Sequence, residues 1–261
     1  MSNLIYQCFE AAHMLDPEQQ ELNKRAAQIS ELKVKQYAES IGVTHLSSFD
    51  PYILDDSICR PMYQWLRIIY HPLFEQFDDV LFLDSDIVPN TDKNIFDDHE
   101  GDVSIVLDIE RNGNGVGFNR WDVDQPFFEL LIRHHDRANL PIIADERSRM
   151  INYNSGVMIF SKEARAKARK CFDNWLDYVT EDLNEHILNG DQYWLTAQLL
   201  KYDFDVNEID PLWNGTMLRQ TSNRTDKYWF KHYQHYEGKQ ALVEEYDEEC
   251  DLSIHGTKRQ S

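Results

Sequence analysis

Short apolar runs alternate along the chain with longer stretches in which apolar residues recur three or four positions apart, which is the pattern of strands alternating with helices. "LIYQCF", Leu4 to Phe9, reads as a first strand. "PEQQELNKRAAQISELKVKQYAESIG" follows as a helix that starts near Asp16 and Pro17 and stops before Gly42, with Leu22, Ala26, Ile29 and Tyr37 on one face. "VTHLSSF" predicts a second strand, and "RPMYQWLRIIY" a second helix from Arg60, striped by Met62, Leu66 and Ile69 and ended by Pro72. Then comes "VLFL", Val80 to Leu83, a continuous apolar run bounded by Asp78 and Asp79 before it and by Pro89 and Asn90 after it. Such a run suits a strand covered on both faces. Strand, helix, strand, helix, strand is the parallel, doubly wound beginning of an α/β fold.

Beyond this unit, "DVSIVLDI" reads as a strand with Asp108 near its end, and "ERNGNGVGFNRWDVD" as a loop whose glycines are too close together for a dinucleotide fingerprint. "PFFELLIRHHDR" predicts a short helix and "NYNSGVMIFS" a strand. "KEARAKARKCFDNWLDYV" predicts a helix with Ala164, Ala168, Cys171, Trp175 and Val179 on one face, and "DQYWLTAQLL" another. The aromatic and charged stretch after Leu200 has a weaker pattern and leads to an expected last strand, "LSIH". With no internal repeat and no long linker, residues 1–261 are expected to form one domain.

Composition narrows the function. A chain of 261 residues, 42% hydrophobic and 28% charged, has the makeup of a folded α/β protein. Its 26 basic against 46 acidic residues, a net charge of -20, argue against nucleic acid or an anionic membrane surface as the main partner. A phosphate-bearing ligand would need local positive charge from a metal, a helix N-terminus or placed basic residues. Cys8, Cys59, Cys171 and Cys250 are scattered, with no metal-ligand spacing, as separate reduced thiols would be. Neither a basic leader nor an apolar run of about 18 residues occurs, so a soluble cytoplasmic protein without a transmembrane segment is expected.

The candidate chemistry begins where "VLFL" runs into Asp84, Ser85 and Asp86. Ionised carboxylates do not stay unpaired in a core, so both should emerge at the carboxyl edge of the sheet, where open α/β folds place their ligand crevice. Asp108, Asn154, Asp191 and His255 are further polar groups near element ends. Two carboxylates suit a hard divalent cation, Mg²⁺ or Mn²⁺, and a histidine as further ligand favours Mn²⁺.

Together, "YQWLRIIYHPLFEQFDDVLFLDSDIVPNTD", "YNSGVMIFS", "NGDQYW" and "IHGTK" give the chain a family likeness. In order and approximate spacing it resembles nucleotide-sugar glycosyltransferases of the GT-A fold, and most closely family 8, the group of glycogenin and bacterial galactosyltransferases, over roughly Arg60 to Lys258. The resemblance implies a mixed, mainly parallel sheet flanked by helices. It implies Asp84, Asp86 and His255 as ligands of Mn²⁺ or Mg²⁺ on the diphosphate of a UDP-sugar, and Lys258 as a diphosphate contact. Tyr63, Arg67 and Ser85 fall with the donor-binding residues, Asn154 and Asp191 with those that bond the sugar hydroxyls, and Gln192 at the anomeric carbon. Asp108 would line the same edge beside donor or acceptor, and the Trp213 and Asn214 pair in "PLWNGT" resembles a site segment. Tyr193 stands where many relatives carry a second acid. The implied reaction moves a hexose from a UDP-sugar to a hydroxyl of a carbohydrate or glycan acceptor, with retention of configuration. Two alternatives stay open: a catalytically degenerate nucleotide-sugar-binding protein, and a metal-dependent phosphohydrolase with the first aspartate as nucleophile.

Overall fold

The structure, a computed structural model, describes residues 2–9, 16–49, 61–107, 153–172, 190–216 and 227–256. Its centre is a six-stranded sheet made of β1 (Asn3–Phe9), β2 (Thr44–Phe49), β3 (Asp79–Leu83), β5 (Val103–Leu107), β6 (Tyr153–Ser161) and β7 (Val206–Glu208), in the order β2-β1-β3-β6-β5-β7. β2, β1 and β3 pair in parallel, as do β5 and β7. β6 is inserted between β3 and β5 and runs antiparallel to both. The sheet is thus mixed and mainly parallel, as expected.

Alternation along the central strands builds two cores. Val80 and Phe82 of β3 pack with Leu4 and Tyr6 of β1 and with Met158 and Phe160 of β6 on one face. Leu81 and Leu83 pack with Ile5, Val157 and Ile159 on the other. This period of two, apolar on both sides, is what a strand covered by helices on both faces requires. The first face is covered by Ala164 and Ala168 of α3 (Lys162–Cys171) and by Trp194 and Leu195 of α4 (Gly190–Lys201). The second is covered by Val34, Tyr37 and Ala38 of α1 (Pro17–Ser40). Asp16 caps α1 by accepting a 3.0 Å hydrogen bond from the Gln19 amide, with Pro17 next in line, and Gly42 follows the helix end at φ +70°.

Two predicted elements are corrected. The expected second helix is a 3₁₀ segment, Pro61–Leu66, that continues into one α-helical turn, α2 (Arg67–Tyr70). Tyr63, Gln64, Trp65, Leu66, Ile68 and Ile69 are all buried, with Arg67 and Tyr70 half-buried, so burial extends well beyond a single apolar stripe. "LSIH" is not a strand: it ends α5 (His235–Gly256). A run of four residues carries too little periodicity to separate strand from helix, and here the helix begun at His235 continues through it. A second, smaller sheet was not expected. It joins β4 (Ile87–Pro89), β9 (Phe230–His232) and β8 (Gly215–Thr216) in the order β4-β9-β8. The glycine-containing loop, the "PFFELLIRHHDR" helix, Asp108, Trp175, Val179 and Lys258 lie outside the described residues. Among the described residues, no helix is long and apolar enough to cross a membrane.

Candidate metal centre at the carboxyl edge

Asp84, Ser85 and Asp86 form the turn by which the chain leaves β3 of the large sheet and enters β4 of the small one. The turn is pinned from several sides. The Asp84 amide donates to the Gly156 carbonyl at 2.9 Å, the Asp84 carbonyl accepts from Gln7 Nε2 at 3.2 Å, and the Asp86 carbonyl accepts from the Tyr233 amide at 3.0 Å. The two carboxylates differ in setting. The Asp84 side chain is 39% exposed, whereas that of Asp86 is only 10% exposed. Both sit at the carboxyl edge as predicted, but Asp86 points inward, and so needs a partner.

His232 is that partner. β4 and β9 pair antiparallel with Ile87 opposite His232, which sets the imidazole beside the turn. Its Nε2 lies 3.1 Å from Asp86 Oδ1 and 3.4 Å from Asp84 Oδ2. On the other side of the ring, Nδ1 stands 2.7 Å from Asn214 Oδ1, and Asn214 Nδ2 donates to Asn154 Oδ1 at 2.7 Å. The amide oxygen can only accept, so it pairs with Nδ1–H and leaves Nε2 facing the aspartates. Gly156 makes the close approach possible. A Cβ there would stand 2.5 Å from His232 Cε1, 2.8 Å from Asp84 Oδ2 and 2.9 Å from Asn154 Oδ1. Lys239, in the first turns of α5, places Nζ 2.9 Å from Asp86 Oδ2.

The electrostatics follow from burial and pairing. Burial alone would depress the His232 imidazolium, but the charges of Asp86 and Asp84 and their hydrogen bonds outweigh it and hold the pKa up at about 9. Burial would raise Asp86, yet Lys239 and His232 outweigh it, and the carboxyl sits well below the usual carboxylate range. Lys239 is likewise raised, because Asp86 more than offsets its desolvation.

Asp84, Asp86 and His232 each offer one ligand atom, and these atoms all lie within 4.8 Å of one another. Two carboxylate oxygens and an imidazole whose other nitrogen is hydrogen-bonded form a donor set that fits Mn²⁺ or Mg²⁺. The histidine that the structure seats here is His232. The expected ligand, His255, lies near the end of α5, and its side chain is outside the described residues. The missed signal was the aromatic run Tyr228, Trp229, Phe230 just before His232, a strand-like composition within a stretch left unassigned.

The other expected residues fall at several places. Asn154 and Asp191 are both buried near the start of β6, which runs against its neighbours and so begins at the carboxyl edge. Asp191, in the first turn of α4, accepts a 2.6 Å hydrogen bond from Ser155 Oγ, and Gln192 follows it, 8% exposed. The Asn154 side-chain oxygen already accepts from Asn214 and from the Gly156 amide at 2.9 Å, so what Asn154 has left to offer is its amide hydrogens. Ser85 lines a cleft with Gln7, Phe9, Ser47, Ser48 and Phe49 at the ends of β1 and β2. Tyr63 is buried, and Arg67 lies near enough to Tyr6 for its charge to act on that phenol.

No protein-family model matches the chain, and no curated protein matches it by sequence. Solved structures do. One is a glycosyltransferase involved in the glycosylation of the major capsid of PBCV-1, at 13% identity and a TM-score of 0.53, over 94% of this chain and 100% of that one. Mouse xyloside xylosyltransferase 1 in its apo form matches at 13% identity and a TM-score of 0.46, over 89% and 97% of the two chains. The apo bifunctional glycosyltransferase WbbM matches at 12% identity and a TM-score of 0.48, over 95% of this chain and 51% of that one. The first likeness shows the fold: this chain is folded as that glycosyltransferase is.

Proposed function

We propose that the protein is a metal-dependent glycosyltransferase of the family 8 type, moving a hexose from a UDP-sugar to a hydroxyl of a carbohydrate or glycan acceptor with retention of configuration. The observation that carries this reading is the seating of Asp84, Asp86 and His232 within 4.8 Å of one another, at the carboxyl edge of a sheet whose fold is that of a solved glycosyltransferase. In the reading, these three side chains hold Mn²⁺ or Mg²⁺. A cation bound there neutralises the donor diphosphate and the charge that grows on the departing nucleotide.

The chain's own residues do the rest. Asn154, its oxygen taken up within the protein, donates its amide hydrogens to a sugar hydroxyl or phosphate oxygen. Asp191, oriented by Ser155, accepts from sugar hydroxyls. Gln192 lies one residue further along the same helix turn, and in this reading its neutral amide faces the anomeric carbon. An amide is a weak nucleophile, so Gln192 would support an oxocarbenium-like state while the acceptor attacks on the face the nucleotide leaves. Arg67 and Tyr63 are taken as donor contacts.

The test is a screen of UDP-sugars for thermal stabilisation and slow hydrolysis, each with Mn²⁺ and with excess EDTA. One donor should give both effects, and EDTA should abolish them. Transfer that proceeds equally well in EDTA would refute the metal-dependent reading. A β-linked product from a UDP-α-sugar, read from the anomeric proton coupling, would refute retention while leaving the metal centre standing.

A further inference from the structure

Lys239 enters the candidate metal centre from an element that none of the three ligands occupies. It sits on α5, while Asp84 and Asp86 lie on the turn after β3, and His232 ends β9. Its side chain is only 21% exposed, and Nζ is 2.9 Å from Asp86 Oδ2, on the carboxylate whose other oxygen meets His232. The approach is built into the backbone. Just before Lys239 stands Gly238, where a Cβ would come within 2.7 Å of the Tyr233 carbonyl carbon, so only glycine lets α5 pass this close to the end of β9. The helix opens with His235 at φ +63°, a left-handed conformation that turns the chain back over the site. An ammonium is thus carried on a short path from His232 to the innermost carboxylate of the cluster.

Resting on the metal-centre reading above, we propose that Lys239 is a tethered cation that competes with the divalent ion for Asp86. Both draw on the same carboxylate, which Lys239 meets at Oδ2 and the ligand His232 at Oδ1. A small divalent ion such as Mg²⁺ bonds oxygen at about 2.0 to 2.1 Å. An ammonium left on Oδ2 would then stand within about 5 Å of an ion on that oxygen, two like charges in a largely desolvated site. Binding of the ion is therefore opposed for as long as Lys239 stays on Asp86. Without the ion, Lys239 and His232 keep the buried Asp86 paired, so the centre holds together empty and takes up metal less readily than its three ligands alone would allow.

The experiment measures Mn²⁺ affinity without donor, from the electron paramagnetic resonance signal of free Mn²⁺, for the wild type, Lys239→Met and Lys239→Gln. Lys227→Met, which removes an exposed positive charge, controls for net charge. Both Lys239 variants should bind Mn²⁺ at least tenfold more tightly than wild type, and Lys227→Met should stay within about twofold. Thermal stabilisation by Mn²⁺ should likewise be larger in the Lys239 variants. Lys239→Gln retains a hydrogen-bond donor to Asp86 and serves if Lys239→Met does not fold. Equal or weaker Mn²⁺ binding in a folded Lys239 variant would overturn the competition alone. No Mn²⁺ binding by any of the proteins at millimolar concentration would overturn the metal centre and the competition together.

Discussion

At the amino end of β3, Asp78 and Asp79 face a cavity of about 580 Å³ shared with Asp97, Glu100 and Glu163. At its carboxyl end, Asp84 and Asp86 close around His232 and Lys239. The amino end carries more acid, yet among the described residues only the carboxyl end offers a group that could hold a metal ion. Each amino-end carboxylate with a described partner serves as a local brace: Asp78 accepts from the Ser2 amide at 2.7 Å, Asp97 from Asn94 Nδ2 at 3.1 Å, and Asp79 stands 3.4 Å from His99 Nε2. At the carboxyl end, elements from both sheets and from α5 bring their groups to one point. The number of carboxylates therefore says little. What separates a site from an acidic surface is convergence on buried oxygen atoms, together with a missing Cβ at Gly156 that leaves room for it.

The comparison breaks most sharply at Asp86. Asp86→Ala leaves Lys239 and His232 without their buried counter-charge and should cost about 3 to 5 kcal/mol in urea unfolding, besides abolishing Mn²⁺ binding. Asp97→Ala, on the exposed rim of the other end, should stay within about 0.5 kcal/mol. Equal losses from the two would mean that the ends do not differ as described.

Gly156→Ala should come next. The added methyl would have to displace His232, Asp84 or Asn154, and should cost about 1 to 3 kcal/mol and greatly weaken Mn²⁺ binding. Unchanged Mn²⁺ affinity in this variant would mean that the close approach of Gly156 is not needed by the ligands.

A smaller effect is expected from Asn214→Ala, which removes the acceptor at His232 Nδ1 and the donor to Asn154 without touching a ligand. Mn²⁺ affinity should fall about 10- to 100-fold, as is usual when the outer partner of a ligating histidine is lost. A titration that overlays the wild type would show that the ring needs no such support.

The last effect is one of pH: at the carboxyl end Asp86, like Asp78 at the amino end, is held below the ordinary carboxylate range, while His232 and Lys239 are raised and add an alkaline limb. In chelator, His232 has its folded pKa raised to about 9 from an ordinary 6.5, so its contribution is fully present below pH 6.5 and is lost as pH rises through about 9. Asp78 is lowered, first by its hydrogen bond from the Ser2 amide, so its contribution is present above the ordinary carboxylate pKa of 3.8 and fades as pH falls. The urea midpoint of the metal-free protein should therefore decline between pH 6.5 and 10. His232→Gln should flatten that alkaline decline and leave the acid limb in place. An alkaline decline that survives His232→Gln would assign it to another group.

Local pattern carried much of this into view beforehand. β1, α1, β2, β3, β6 and α4 follow from apolar periodicity and from caps such as Asp16, and the turn at Asp84 to Asp86 follows from a buried run meeting two charges. What local pattern did not carry is whatever depends on pairing between distant segments. His232 reaches Asp86 because Ile87 lies opposite it across β4 and β9, a register between two three-residue strands with almost no periodicity of their own. Lys239 arrives by the path of α5 past Tyr233, and nothing in "YEGKQ" marks that lysine as inward-facing. The 3₁₀ segment before α2 reads as a one-sided helix because Met62, Leu66 and Ile69 happen to fall at helical spacing, while the burial of Tyr63, Gln64 and Trp65 beside them depends on tertiary packing that local spacing does not show.

One pairing carries a consequence for how such a protein can diversify. The chain leaves β5 at Leu107 and re-enters the sheet at Tyr153, and these two residues face each other across the ladder between β5 and β6. Leu107 and Tyr153 thus form a single gate, both posts of which stand at the same edge as the candidate metal centre. Lengthening a segment closed in this way costs little, about 0.6 kcal/mol for each doubling of a flexible loop. Pairing of the two posts alone closes the sheet and its cores across that gate, so the framework that carries the Asp84–Asp86–His232 cluster does not depend on how many residues separate Leu107 from Tyr153, and lineages, or engineers, can change that number at little cost.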